Sequence, residues 1–439
     1  MATKTNQQYS KSICFYFQVH QPLRLSQFNY FNESKTLNYF KGNSPHTNKF
    51  FVNKVSRKSY QPTNNLLLEL LAQHKEFKCS FSISGVALEQ FEKYDPELIE
   101  SFKSLVRTRR VELLSETYYH SLSWVYSKQE FAKQIMLHRK KIFKLFGKRP
   151  KIFRNTELIY NNELANFVRK LGFNGILAEG WDHYLEEKSP NFVYEPPKFD
   201  LHPEDERIVK KYRIKERANK KIGLLLKNYK LSDDIAFRFS DKSWVEHPLS
   251  VEKFADWVEQ AEGETINLFM DYETFGEHQW EDSGIFQFLE KLPAEILRRG
   301  IGFKTPSETI EDYDTRDIVD IHHLMSWADL ERDLSAWLGN KMQKHAADQI
   351  YNFEPLVNSA IDTLNDKFRR QELLSTWRKL QTSDHFYYMS TKYWNDGDIH
   401  KYFSPYESPY DAYINYMNVL GDFSQKLKNM VSYKGLSRL

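Results

Sequence analysis

Apolar positions along this chain follow two alternating periodicities. Short runs rich in β-branched and aromatic residues read as strands: SICFYFQV at 12–19, CSFSIS at 79–84, VELLS at 111–115, KIFRNT at 151–156, FNGILA at 173–178, IAFRF at 235–239, INLFM at 266–270 and GIGFK at 300–304. Between them, apolar residues recur at helical spacing over 66–74, 88–106, 128–146, 162–170, 251–260 and 285–298. Strand and helix in alternation predict βαβ units on a parallel sheet. Seven or eight such repeats fit an α/β (β/α) barrel, whole or incomplete. A doubly wound open sheet is the alternative, but no Gly-x-Gly-x-x-Gly follows the first strand.

Two stretches break the rhythm. Residues 181–221 are too long and too charged for a single loop and carry Pro190, Pro196, Pro197 and Pro203, which predicts an inserted subdomain. From about Asp317 strand patterns give way to helical ones over 328–347, 354–366, 369–383 and 408–431, with Pro355 and Pro409 near the starts of the last-but-two and last. The expected organisation is a catalytic domain over 1–316, with its insertion at about 181–221, and a helical C-terminal domain over 317–439.

Composition narrows the function classes. Of the 439 residues, 41% are hydrophobic and 28% charged, so the chain can bury a substantial core. Its 62 basic and 59 acidic residues nearly cancel, which leaves no electrostatic footprint for nucleic acid or an anionic membrane. The local basic run Lys210, Lys211, Arg213, Lys215, Arg217, Lys220 and Lys221 reads as a solvated face. Two cysteines, Cys14 and Cys79, lie inside apolar runs and are expected as buried thiols. The first residues are polar, and no apolar run reaches the roughly twenty residues of a membrane span, so the expected location is the cytoplasm. Aromatic residues reach 15%; beyond the core's needs, such rings suit the C–H faces of sugars.

The polar residues that end the strand runs carry the chemistry. The first run ends in His20-Gln21-Pro22, the third leads to Glu116 and His120, the fourth to Glu157, the seventh to Asp271-Tyr272-Glu273, and the last to Thr305-Pro306-Ser307-Glu308. In a βα barrel all these ends face one mouth, where catalysis sits. Singly, each has a structural reading. Glu157 and Asp271 could cap helices, His20 could be a satisfied core histidine, Glu116 could pair with Arg154, and Glu308 fits a capping box with Thr305. Asp271 and Glu273, at i and i+2 of a strand, would share a face, repel, and raise one pKa, as a general acid requires. Glycoside cleavage needs two carboxyl groups astride the bond, roughly 5–5.5 Å apart for retention and 6.5–9.5 Å for inversion. The residues alone do not choose between these.

These motifs resemble glycoside hydrolase family 57, the amylase and glucanotransferase family. His20-Gln21-Pro22 is similar to its opening motif, Glu116-Thr-Tyr-Tyr-His120-Ser121-Leu122 to its second, Asp271-Tyr272-Glu273-Thr274-Phe275-Gly276 to the motif that begins with its acid/base, and Pro306-Ser307-Glu308 to its fifth. Glu157 lies where the family places its nucleophile, although this segment reads Asn155-Thr156-Glu157-Leu158 instead of the common aromatic-Pro-Glu. The stretch from Trp327 to Asp333, with Trp337-Leu338-Gly339-Asn340, resembles the helical segment of amylase-like members. The resemblance implies an incomplete (β/α)7 barrel with a helical C-terminal domain, a retaining mechanism and α-glucan polysaccharide or oligosaccharide substrates. Glu157 would attack the anomeric carbon while Asp271 protonates the leaving oxygen and then activates water. His20, Glu116, His120 and Glu273 would bind hydroxyls at the cleavage point. Trp327, with Trp181, Trp244 and Trp280, would stack on neighbouring rings. No metal or other cofactor is required. The rivals are a 4-α-glucanotransferase or branching enzyme, a metal-dependent hydrolase, which would want a His-x-Asp pair on an early strand, and a non-catalytic glucan-binding protein.

Overall fold

The computed structural model describes residues 9–29, 36–214, 221–392 and 404–436. Ten strands occur among them: β1 (Ser12–Val19), β2 (Cys79–Ile83), β3 (Val111–Leu113), β4 (Ile152–Arg154), β5 (Gly175–Glu179), β6 (Val193–Glu195), β7 (Gly223–Lys227), β8 (Thr265–Asp271), β9 (Gly302–Phe303) and β10 (Thr315–Ile318). They form two five-stranded sheets. One runs β3-β2-β1-β8 with β9 also on β1, and the other runs β10-β6-β7-β5-β4. All pairs are parallel except β6 with β7. The sheets meet twice. A parallel bridge joins Ser115, just beyond β3, to Phe153 of β4. On the other side the Asn228 N–H donates to the Asn267 carbonyl at 2.9 Å, and the Asn267 side-chain amide donates to the Leu226 carbonyl at 2.8 Å.

Neighbour by neighbour, the parallel strands therefore run β1-β2-β3-β4-β5-β7-β8 and back to β1. Their inward residues Tyr16, Leu114, Ile152, Leu177, Leu225 and Phe269 pack as one buried cluster with Cys14 and Leu158. Both cysteines are free and buried. Strands covered on both faces need continuous apolar runs, and β1, β5 and β7 are buried at every position.

The helices at Lys128–Phe146, Val251–Gln260 and Ile285–Arg298 fall where the periodicity puts them. The pattern over 88–106 divides into Gly85–Tyr94 and Pro96–Arg107, because Asp95 before a proline leaves helical geometry and caps the second helix through Leu98. One strand is misplaced by the sequence reading. Residues 235–239 do not form a strand; the chain there closes the helix Tyr229–Ala236, and the strand is the preceding GLLLK of β7. A short run such as IAFRF cannot be told from a buried helix end by period alone.

The stretch 181–221 holds β6 and the helix Pro203–Tyr212, on which Lys210 and Lys211 are exposed. Lys215, Arg217 and Lys220 of the basic run lie outside the described residues. Beyond β10, described residues hold helices at Ser335–Leu338, Lys341–Asn352, Glu354–Thr363, Lys367–Lys379, Asp384–Tyr387 and Pro409–Leu436. The expected single helix over 328–347 is thus two shorter ones, preceded by a folded-back loop in which Asp329 and Arg332 have positive φ. These helices share one apolar cluster with Leu23, Leu25, Leu37, Tyr39, Tyr118, Tyr119 and Leu122, so they pack directly over the ends of β1 and β3. Among the described residues, no helix is long and apolar enough to cross a membrane.

One glycine fastens the turn after β8. Gly276 has φ +101°, and a Cβ there would stand 2.1 Å from the Lys58 carbonyl oxygen. Gly276→Ala combines a strained φ with a backbone clash, and should lower stability by roughly 1–3 kcal/mol or more, read as a fall in Tm by calorimetry.

Candidate active site

The site assembles at the C-terminal ends of β1, β3, β4, β7 and β8. Glu157 follows β4 in a single 3₁₀ turn with φ +54° and ψ +30°, a left-handed conformation that a glutamate rarely adopts. His120 and Leu158 share this feature, with φ +50° each. Such strain persists only where surroundings over-determine it, and here they do. His120 Nε2 lies 2.7 Å from Glu157 Oε1, the Trp327 indole N–H donates to Oε2 at 2.7 Å, and the Trp327 backbone N–H donates to the Glu157 carbonyl. Both carboxylate oxygens therefore have a fixed partner.

Beneath Glu157 lies a chain of buried charge. His120 Nδ1 is 3.2 Å from Glu116 Oε2, and the fully buried Arg154 guanidinium is 3.7 Å from the same oxygen. Glu116 is fully buried; desolvation opposes its ionisation, but the His120 hydrogen bond and Arg154 outweigh it and hold the carboxyl near 2. Burial likewise disfavours a charged His120, yet Glu116 and Glu157 together lift it to about 9. At neutral pH His120 is thus an imidazolium between two carboxylates. Glu157 is held below the ordinary carboxylate range: burial raises it, and the bond and charge of His120, with Arg154 and Trp327, more than reverse this. His138 takes the opposite form. Its Nδ1 accepts the Glu116 backbone N–H and its Nε2 faces the Ile83 carbonyl, which requires the neutral Nε2–H tautomer, and burial lowers its pKa to match.

Asp271, the last residue of β8, is pushed the other way. Burial first, and the Glu157 carboxylate second, raise it to about 7. Glu273 does not sit beside it as an i, i+2 strand neighbour. The strand stops at Asp271, and Tyr272–Thr274 is a 3₁₀ turn that tucks Glu273 against Tyr60 and Gln21, whose hydroxyl and amide both donate to its Oε1. Burial and the Asp271 charge raise Glu273 to about 8. The influence thus runs from Asp271 to Glu273, whereas Asp271 itself is raised by desolvation and Glu157.

His20, Glu116, His120, Glu157, Asp271, Glu273 and Trp327 are brought into one electrostatic neighbourhood. Their contacts differ from those expected of sugar ligands. Glu116 and His120 have no exposed surface, and both ring nitrogens of His120 are occupied. His20 is also committed at both nitrogens, to Ser84 Oγ at 2.7 Å and Asp384 Oδ2 at 2.9 Å. The Trp327 ring has the Arg154 guanidinium and the Lys227 ammonium over it, each at 5.4 Å, while its N–H holds Glu157. Its N–H thus clamps the carboxylate, and its half-buried ring packs against two cations.

The other tryptophans lie elsewhere. Trp181 packs on His183 and Tyr184, and Trp244 on Trp257. Trp280 is 56% exposed, with the Lys58 ammonium 4.7 Å over its ring, and lines a groove of about 670 Å³ with Arg57, Pro62 and Phe286. Glu308 closes a reciprocal capping box with Thr305, the structural role that its spacing also fitted.

Sequence reasoning missed Asp384, Tyr60, Glu179 and Lys227. Lys227 ends β7 and bonds Asp233 at 2.9 Å, with Glu179, the last residue of β5, at 3.6 Å. Its ammonium is among the charges that lower the Asp271 pKa. Reading GLLLK as the strand would have put Lys227 on the rim with the other strand ends. Among the described residues, no group of three or more His, Cys, Asp or Glu side chains is arranged to hold a metal ion.

The family model described as glycosyl hydrolase family 57 matches residues 14–322. A relative from Methanocaldococcus jannaschii, provisionally named an alpha-amylase, is 39% identical over 424 residues, 96% of this chain and 85% of that protein. Among solved structures, a GH57-type branching enzyme from Pyrococcus horikoshii superposes with a TM-score of 0.63 at 13% identity, over 93% of this chain and 88% of that one. A 4-alpha-glucanotransferase from Thermococcus litoralis gives 0.60 at 17% identity, over 86% and 56%. At such identities these two likenesses speak for the fold.

Proposed function

The chain belongs to glycosyl hydrolase family 57, and from that premise we propose that it cleaves α-1,4-glucosidic bonds of starch, glycogen or maltooligosaccharides by double displacement, with Glu157 as nucleophile and Asp271 as acid/base. The observation that carries this reading is the divergence of two buried carboxyl groups near enough to act on each other electrostatically. Glu157 is held ionised while Asp271 is lifted to about 7, the split that a nucleophile and a proton donor need. The scaffold fits an incomplete barrel of seven parallel strands, a domain over 1–316, with the helices of 317–439 packed over its mouth.

In the first step Glu157 attacks the anomeric carbon as the proton of Asp271 passes to the glycosidic oxygen. In the second, the ionised Asp271 takes a proton from water, which resolves the ester. The His120 imidazolium and the Trp327 N–H keep Glu157 ionised and aimed. They, with Glu116 and His20, act on the nucleophile. Hydrolysis follows if water resolves the ester and transfer if a sugar hydroxyl does.

Proton NMR of the first products from maltoheptaose tests the proposal. Retention of the α-anomer is expected; β-anomer released first would overturn the double displacement. Products longer than the substrate would mark transfer. The pH profile of kcat/KM follows from the same pair. The acid limb is expected below the ordinary carboxylate range, where Glu157 takes up a proton, and the alkaline limb near pH 7, where Asp271 loses its own. A profile flat from pH 5 to 9 would contradict the assignment of Asp271.

A further inference from the structure

His20 and His120 stack face to face, ring centroids 3.9 Å apart and planes 22° from parallel. Two stacked imidazolium rings would repel, so one must be neutral. His120, between Glu116 and Glu157, is the charged one. The neutral ring is fixed by its own partners. Ser84 Oγ accepts the Ala87 backbone N–H as a helix cap, which frees its hydroxyl proton for His20 Nδ1. A carboxylate can only accept, so Asp384 requires the proton on His20 Nε2. Burial and the His120 charge keep His20 neutral.

Asp384 is the residue that makes this arrangement single-valued. It lies 364 positions from His20, at the start of the short helix Asp384–Tyr387. Its side chain is 23% exposed. Arg24, Tyr388 and His385 also face it, and Glu116 is the further charge near His20. Desolvation opposes its ionisation, but His20 and the His120 charge hold it well below the usual range.

We propose that Asp384 is a positioning residue for the reaction: through one tautomer of His20, stacked on the His120 ring, it keeps the His120 imidazolium aimed edge-on at Glu157, so that the C-terminal helices complete the catalytic centre. The chain of contacts is Asp384, His20, His120, Glu157, and each link is a hydrogen bond or a ring stack. This rests on Glu157 being the nucleophile.

Asp384→Asn keeps the shape and removes the charge and the acceptor-only oxygens. The expected result with maltoheptaose is a fall in kcat on the order of tenfold to a hundredfold, with KM little changed, as for a misplaced reacting group. Asp384→Glu should recover part of the loss. Nitrogen-15 NMR of the histidine side chains in the intact protein should show His20 as the Nε2–H tautomer, replaced by a mixture in the Asn variant. An unchanged kcat in folded Asp384→Asn protein, or a raised KM alone, would overturn the positioning role, the latter marking a direct substrate contact. A His20 that carries its proton on Nδ1 in the wild type would overturn it as well. The tautomer is read without turnover, and wild-type rates from Glu157→Gln would instead remove the underlying reading.

Discussion

Glu157→Gln should cost turnover on the order of 10⁴-fold or more, the scale seen when a covalent nucleophile is removed. The amide preserves the shape of the side chain, and its oxygen can still accept from His120 or Trp327, so the fold should survive. It cannot form the ester, and it removes the anion that helps keep His120 charged. A smaller replacement makes the test sharper. In Glu157→Ala, azide can enter the vacated space and attack the anomeric carbon of an activated α-maltosyl substrate. Attack from that face yields the inverted β-maltosyl azide. Chemical rescue with inversion identifies the position of the nucleophile, which a loss of rate alone does not.

Asp271→Asn should lower kcat/KM on starch by roughly 10²–10⁴-fold, the usual contribution of a general acid. The loss should depend on the leaving group. A maltoside with an acidic phenol needs little protonation, so its first step should survive and the ester should accumulate. Azide should then resolve that ester from the other face and give the retained α-azide, opposite to the product from the Glu157 variant. The alkaline limb near pH 7 should vanish with such a substrate, because Asp271 is the group that carries it. Steady-state rates with two maltosides of different leaving-group acidity, and a pH profile for each, check all three expectations.

Much of the site was legible in the sequence because strand ends are local features. Glu157, Asp271, His20 and Glu116 were found as polar residues terminating apolar runs, and the structure sets them together at one end of the strands. What could not be read is the direction in which each side chain acts. Spacing suggested that Asp271 and Glu273 share a strand face, but the chain turns after Asp271, and Glu273 meets Tyr60 instead. Trp327 looked like a stacking platform by residue type, whereas its N–H is fixed to Glu157 by a loop that folds back through two positive-φ residues. Asp384 was invisible for a different reason. Its partner is 364 residues away, and no local pattern separates it from an ordinary helix-start aspartate. The missed strand β7 shows the remaining weakness: a five-residue apolar run beside a helical one offers too few positions for either period to dominate, and its loss hid Lys227 with it.

Each of these readings depends on a sugar becoming bonded to Glu157. A fluorinated maltosyl fluoride, which slows breakdown of the ester more than its formation, should trap that species. Proteolysis and tandem mass spectrometry of the inactivated protein should then find one maltosyl adduct, on the peptide containing Asn155-Thr156-Glu157-Leu158, with the added mass on Glu157. A label on any other carboxylate, or time-dependent inactivation without a covalent adduct, would contradict the account.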